Sequence, residues 1–170
     1  KKGYISVYNS AAKRFDDVRT ININPTNVIT TFIDKSDRLW IFTNDQHVWR
    51  ATIRTGNKQS PQVDVEAAFL NKEPIISAFY ESDSIYYVTV SGNLYTYDVS
   101  KKKNIYIKNI SKLLKQYGQI SSIVLYHNDF WISFKSSGLL KLIYSNAYNE
   151  EPVDLNTGVF CLKKDLHQDV

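Results

Sequence analysis

One pattern recurs three times along the 170 residues of this chain. Each copy reads as three short apolar runs separated by polar turns. The first covers residues 28–34, 37–43 and 46–51, the second 75–81, 83–89 and 92–98, and the third 119–125, 128–134 and 137–142. Trp40, Tyr86 and Trp131 hold equivalent places, 46 and then 45 residues apart. The runs are rich in Ile, Val, Tyr, Phe, Trp and Thr, side chains that suit a pleated, half-buried surface. Asn, Asp, Ser, Gly and Lys gather between the runs, as turns require. A repeat of this length with several strands cannot bury its apolar faces alone, so its copies must stack. The reading is an all-β chain of four-stranded β-propeller blades.

The register extends to both ends. Residues 2–9 match the third strand of a blade, and residues 158–162 match a first strand. Complete blades are expected at about 28–66, 74–110 and 119–155, with a blade end at 1–20 and the start of a further blade at 158–170. The fourth strands are the least regular and are placed at 62–66, 104–108 and 151–155. Only residues 111–117 read as a helix, with Gly118 where a helix-ending glycine belongs. Three blades and two halves fall short of the roughly four to eight that close a propeller. Open edges would also invite pairing. The chain is therefore expected to be a piece of a larger propeller, and its lack of any methionine agrees with that.

The repeated residues read first as structure. Trp40 and Trp131, among apolar neighbours, are expected to pack between adjacent blades. Gly92 and Gly138 precede third strands and are expected to take positive φ. Asp37, Asp83 and Asp129 recur before second strands, where Asp bonds its own backbone. A cation site there would need several oxygens to converge.

Composition closes off other classes. Aromatic residues make up 14% and the formal charge is only +4, which does not fit a disordered chain. A single cysteine, Cys161, excludes a disulfide scaffold, and its apolar surroundings suggest a small buried side chain. His47, His127 and His167 have no metal-ligand spacing. No apolar run approaches the roughly 18 residues of a membrane-spanning helix. The densest basic run, Lys101-Lys102-Lys103, reads as a solvated turn, and no nucleic-acid motif accompanies it. A glycosidase needs two positioned carboxylates. The pairs Asp16-Asp17 and Glu150-Glu151 read as surface turns, and in strands they would point to opposite faces. No phosphate-binding loop, nucleophile elbow or Cys/His pair stands out. The expectation is a non-enzymatic chain with no cofactor, no metal and no nucleic-acid partner.

The run from Phe32 to Thr43 resembles the bacterial two-component regulator propeller repeat. That repeat has an Asp, a turn with Asp and Gly, then Leu-Trp-Ile-Gly-Thr, then Gly-Gly-Leu and an aromatic-X-Tyr-Asp close. Leu39-Trp40-Ile41-Phe42-Thr43 corresponds to its centre, and Gly92-Asn93-Leu94-Tyr95-Thr96-Tyr97-Asp98 to its close. Phe42 and Ser133 replace the usual Gly, and Tyr86 replaces Trp. The resemblance covers nearly the whole chain, and the Asn-, Lys-, Ile- and Tyr-rich usage is similar to that of the Bacteroides group. It implies the periplasmic sensor region of a hybrid two-component system. In such proteins two propellers precede a β-sandwich domain, a transmembrane helix, a histidine kinase and often a response regulator. They sense glycan breakdown products and switch on polysaccharide-utilisation genes. The kinase would lie outside these residues, and the region would be the soluble part of a membrane-anchored, homodimeric parent.

Ligands of propellers meet the loops between second and third strands and the loops between blades. Asn44, Asp45, Gln46 and His47 form the densest polar group in these loops, and Asn93 and Lys135 hold comparable places. Their amide, carboxylate, imidazole and ammonium groups suit the hydroxyls of an oligosaccharide or another small ligand, and function concentrates on loops. Two other readings remain open from sequence: a scaffold for protein–protein contact, and a glycan-active enzyme.

Overall fold

In the computed structural model, residues 3–9, 13–21, 24, 27–54, 62–144 and 148–153 are described. The chain divides into two compact units, Lys1–Ile75 and Ile76–Val170. The first unit holds a hairpin of β1 (Gly3–Asn9) and β2 (Arg14–Ile21). It also holds a meander of β3 (Val28–Ile33), β4 (Arg38–Thr43), β5 (His47–Arg54) and β6 (Gln62–Leu70). The second unit holds two such meanders. One is β7 (Ile75–Glu81), β8 (Ser84–Thr89), β9 (Asn93–Asp98) and β10 (Lys103–Asn109). A short helix, α1 (Ser111–Tyr117), leads to the other: β11 (Ile120–Tyr126), β12 (Asp129–Phe134), β13 (Gly138–Tyr144) and β14 (Tyr148–Val153). Each sequence repeat is therefore one four-stranded antiparallel sheet, as its period requires. The expected strand at 158–162, with Cys161 and His167, lies outside the described residues.

The second strand of each sheet is buried on both faces. Trp40, Ile41, Phe42 and Thr43 are consecutive and buried, as are Tyr87, Val88 and Thr89, and Ile132, Ser133 and Phe134. Successive strand residues face opposite ways, so apolar runs without alternation mark sheets covered on both sides. In the second unit, Val88 and Leu94 share a core with Ile110 and Leu113 around α1 and with Phe130, Ile132, Phe134 and Leu140. Tyr86 stacks on Phe79 at 5.1 Å, and Phe130 meets Tyr86 edge-on at 5.5 Å. Tyr86 thus packs one sheet onto the next, a role expected of Trp40 and Trp131 at the equivalent positions. Trp131 lies on the face of β12 opposite Phe130 and is only half-buried. In the first unit, Ile5 of the hairpin joins Ile41, Ala51 and Val63.

The turns before the second strands correct one expectation. The left-handed position belongs to Asp37 (φ 56), Asp83 (φ 64) and Asn128 (φ 66). Asp129 is instead the first residue of β12, and its carboxylate pairs with Lys141 Nζ at 3.2 Å. The first-unit hairpin is one residue longer than its third-sheet counterpart, since Ile33 faces Leu39 where Leu125 faces Phe130. Asp37, Asp83 and Asn128 each stand three residues before the repeated aromatic, whereas Asp129 stands two before Trp131, so matching by residue type rather than by spacing misaligned the third copy. The side chain that organises the longer turn is Asp34. Its Oδ1 accepts the N–H groups of Ser36 (2.9 Å) and Arg38 (3.1 Å), and its Oδ2 accepts Arg38 Nε (2.7 Å) and Trp40 Nε1 (2.9 Å). Burial raises the carboxyl pKa, but these bonds more than offset it, Trp40 foremost, and hold it below the usual range. Tyr126 follows Leu125 where Asp34 follows Ile33, and Trp131 Nε1 is buried without a partner among the described residues.

The acid pairs also differ from expectation. Asp16 and Asp17 lie within β2, and Glu150 and Glu151 within β14, rather than in turns. Phe15 and Val18 flank the first acid pair and Tyr148 and Val153 the second, and both segments pair as strands despite the interrupted alternation.

Candidate functional site

The loops singled out for a ligand lie at one end of each sheet, and in the first two sheets a buried threonine, Thr43 or Thr89, organises their polar groups. In the first unit Thr43 Oγ1 sits 2.5 Å from Asp45 Oδ1 and 2.6 Å from the His47 carbonyl. A hydroxyl has one proton, so it serves one acceptor at a time. Asp45 Oδ2 accepts Asn27 Nδ2 at 3.2 Å. The N–H of Asn44 donates to Asn27 O, and that of Asn71 donates to Gln46 O, both at 2.9 Å. Gln46 takes a left-handed φ of 76°. His47 Nδ1 lies 3.1 Å from Asp45 O, and its ring stacks on Trp49 at 5.7 Å. The Thr43 hydroxyl is the main reason the Asp45 carboxyl lies below its usual range. Asn27 and His47 add to this, and partial burial opposes it. Asn44 is exposed.

Thr89 holds the same place in the second unit and accepts the N–H of Asn93 at 3.2 Å. Asn93 Nδ2 donates to Ser91 Oγ (2.8 Å), and its Oδ1 accepts Asn109 Nδ2 (2.8 Å). Asn109 Oδ1 in turn accepts the first N–H of α1, from Ser111, at 2.9 Å. Between them runs Gly92 (φ +82), whose backbone lies so close to the helix that a Cβ there would meet Ser111 N at 2.6 Å. In the third sheet Phe134 replaces the threonine. Lys135 is held instead by Gln119, through Nζ to Oε1 (3.1 Å) and through N–H to the carbonyl (2.9 Å).

Asn44, Asp45, Gln46 and His47 thus come together in one turn, joined by Asn27 and Asn71. Asn93 and Lys135 occupy two separate turns of the second unit. Sequence reasoning did not single out Thr43, Asn27, Asn109 or Gln119, although Thr43, Asn27 and Gln119 lie in the loops it assigned to a ligand. The recurrence of threonine at 43 and 89 was the available signal. The arrangement presents amides, hydroxyls and a carboxylate, a set suited to binding polar groups. Among the described residues no cluster of three or more His, Cys, Asp or Glu could hold a metal ion. No helix there is long and apolar enough to cross a membrane.

Four-stranded meanders with buried second strands define a β-propeller scaffold, and solved structures share it. The N-terminal domain of Nup159 matches with a TM-score of 0.51 and 10% identity, over 84% of this chain and 34% of that one. A structure of an S. cerevisiae Dbp5 variant bound to Nup159, a Gle1 variant, IP6 and ADP matches with a TM-score of 0.53 and 10% identity, again over 84% of this chain and 34% of that one. These neighbours are β-propeller proteins, and at such identity the likeness is one of fold alone. The chain spans 34% of the length of each. No protein-family model matches this sequence, and no curated protein matches it.

Proposed function

We propose that this chain is a non-catalytic recognition module, the periplasmic ligand-sensing propeller of a membrane-anchored hybrid two-component system. In this reading it responds to oligosaccharides released from complex glycans and governs polysaccharide-utilisation genes. The supporting observation is where the repeat motif falls. Leu39-Trp40-Ile41-Phe42-Thr43 forms a buried second strand, and Asn93–Asp98 forms a third strand. These two segments are the ones that resemble the centre and the close of the two-component regulator repeat. Asn44, Asp45, Gln46, His47, Asn93 and Lys135 then meet sugar hydroxyls at the turn ends. Phosphoryl transfer belongs to a kinase outside these residues, and a homodimer conveys the signal. Ligand must bind one of two states more tightly, because only differential affinity shifts an equilibrium.

The test is a thermal-shift screen of the chain against oligosaccharides of plant and host glycans. At least one should raise the melting temperature, and Asn44→Ala should remove the effect without lowering the unliganded value. A panel that leaves the melting temperature unchanged contradicts the reading. A second reading, a scaffold for protein contact, is favoured by one observation. Asp45, Asn93 and Lys135 all bond their own turns or the adjoining segments, which shapes a surface as well as it binds a sugar. That reading predicts an inert glycan panel.

A further inference from the structure

The outer strands of the three sheets differ in chemistry. β6 carries Asp64 and Glu66, and β14 carries Glu150 and Glu151. Glu66 lies in register with Arg50 and Trp40, and Glu151 with Lys141 and Trp131, so both sheets run aromatic, cation, acid from second strand to fourth. In the middle sheet the same row is Tyr86, Thr96 and Ile105. β10 has no acid; it reads Lys103-Asn104-Ile105-Tyr106-Ile107-Lys108-Asn109. Ile105 is 46% exposed and Tyr106 55%.

Two features make this edge more than a stray apolar pair. A ladder of tyrosines crosses the sheet: Tyr87 of β8 stacks on Tyr95 of β9 at 5.3 Å, and Tyr106 meets Tyr95 edge-on at 5.7 Å. Tyr87 is fully buried, so the ladder runs from the core out to Tyr106 on the last strand. Among the described residues no strand pairs with the outer edge of β10. Charge then selects what that edge can accept. Lys101 pairs with Asp98 at 3.2 Å, whereas Lys102 and Lys103 are exposed and have no ion-pair partner among the described residues. Lysines on an edge repel a second basic strand, and they attract an acidic one.

We propose that the outer edge of β10 takes up an extended acidic segment of a partner protein as a fifth strand. Backbone hydrogen bonds along the edge supply the pairing. An apolar or aromatic side chain of the segment extends the tyrosine ladder over Tyr106, and its carboxylates face Lys102 and Lys103. This site lies on a strand edge, not on the turn ends, and it does not depend on the sensor reading.

The test uses a labelled synthetic peptide that alternates glutamate with valine and phenylalanine, titrated into the whole chain by fluorescence anisotropy. Saturable binding is expected. It should weaken about tenfold in Tyr106→Ala, the size of a lost aromatic pair. It should also weaken in the Lys102→Glu, Lys103→Glu double variant and vanish when alternate peptide amides are N-methylated. All three substitutions are at exposed positions, and matching circular dichroism spectra confirm that the fold is kept. The proposal is overturned by absent binding, by equal affinity for a lysine-for-glutamate peptide, or by indifference to N-methylation. Self-association of the chain that Tyr106→Ala abolishes, with no peptide binding, also overturns it.

Discussion

Replacing Asp34 with Asn alters one atom and no appreciable volume, so its cost isolates hydrogen bonding. The asparagine carbonyl can keep the bonds from the N–H groups of Ser36 and Arg38 that Oδ1 accepts. Its amide group, however, points donors at Arg38 Nε and Trp40 Nε1, both of which now donate to Oδ2. Trp40 is fully buried, so its indole N–H is left without water or acceptor. That costs about 1–3 kcal/mol. The Arg38 side chain is 26% exposed, and water recovers much of its charge. The lost ion pair adds no more than about 1 kcal/mol. The expected loss for Asp34→Asn is therefore about 1–4 kcal/mol. In a Trp40→Phe background the indole donor is gone, and the same substitution should cost only about 1 kcal/mol. Urea unfolding of the four proteins of this cycle, followed by far-ultraviolet circular dichroism, gives both numbers. A loss below about 0.5 kcal/mol, or equal losses in both backgrounds, would refute the reasoning. Trp131 supplies the contrast: among the described residues its Nε1 has no partner, so Trp131→Phe removes no hydrogen bond to them.

Three further outcomes follow from the same geometry. Gly92→Ala should destabilise by more than Gly138→Ala in urea unfolding. Both have positive φ, worth about 1–2 kcal/mol of strain, but only at Gly92 does the new Cβ meet backbone, at 2.6 Å from Ser111 N. Stability should be pH-dependent in acid, because the Asp34 carboxyl pKa is depressed on folding. Its contribution is fully present above the unfolded value of about 4 and is lost as pH falls through the lower folded value. Asp34→Asn should flatten that acid limb in a pH series of urea titrations. Asp45→Ala should loosen the β4–β5 turn, raising amide exchange at Asn44 and His47, while Asn44→Ala should leave exchange there unchanged.

The fold was legible because its strongest signal is periodic. Leu39-Trp40-Ile41-Phe42-Thr43 and its two counterparts are uninterrupted apolar strands, which a sheet covered on both faces demands. Even helix α1 could be read, from Leu113, Leu114 and the Gly118 that follows. The details that escaped are those set by contact. Nothing local says that Asp34 rather than Asp37 bonds the turn, because the choice depends on Trp40 lying across the hairpin. Asn128, three residues before Trp131 as Asp37 is before Trp40, was passed over because its neighbour Asp129 matched by residue type. The strands holding Asp16-Asp17 and Glu150-Glu151 were obscured because adjacent acids interrupt the apolar alternation. At the candidate site, residue type pointed to Asn44, Asp45, Gln46 and His47. The partners that hold them, Asn27 and Asn71, are distant in sequence and visible only once β3, β4, β5 and β6 pair.

The central claim is that the turn ends of these sheets receive a sugar. The most direct measurement is an amide chemical-shift map of the isotopically labelled chain, titrated with the oligosaccharide that most raises its melting temperature. The account predicts saturable shifts at Asn44, Asp45, Gln46 and His47, or at the Asn93 and Lys135 turns, with the outer strands unchanged. Shifts confined to β10 and its neighbours, or none for any oligosaccharide, would contradict it.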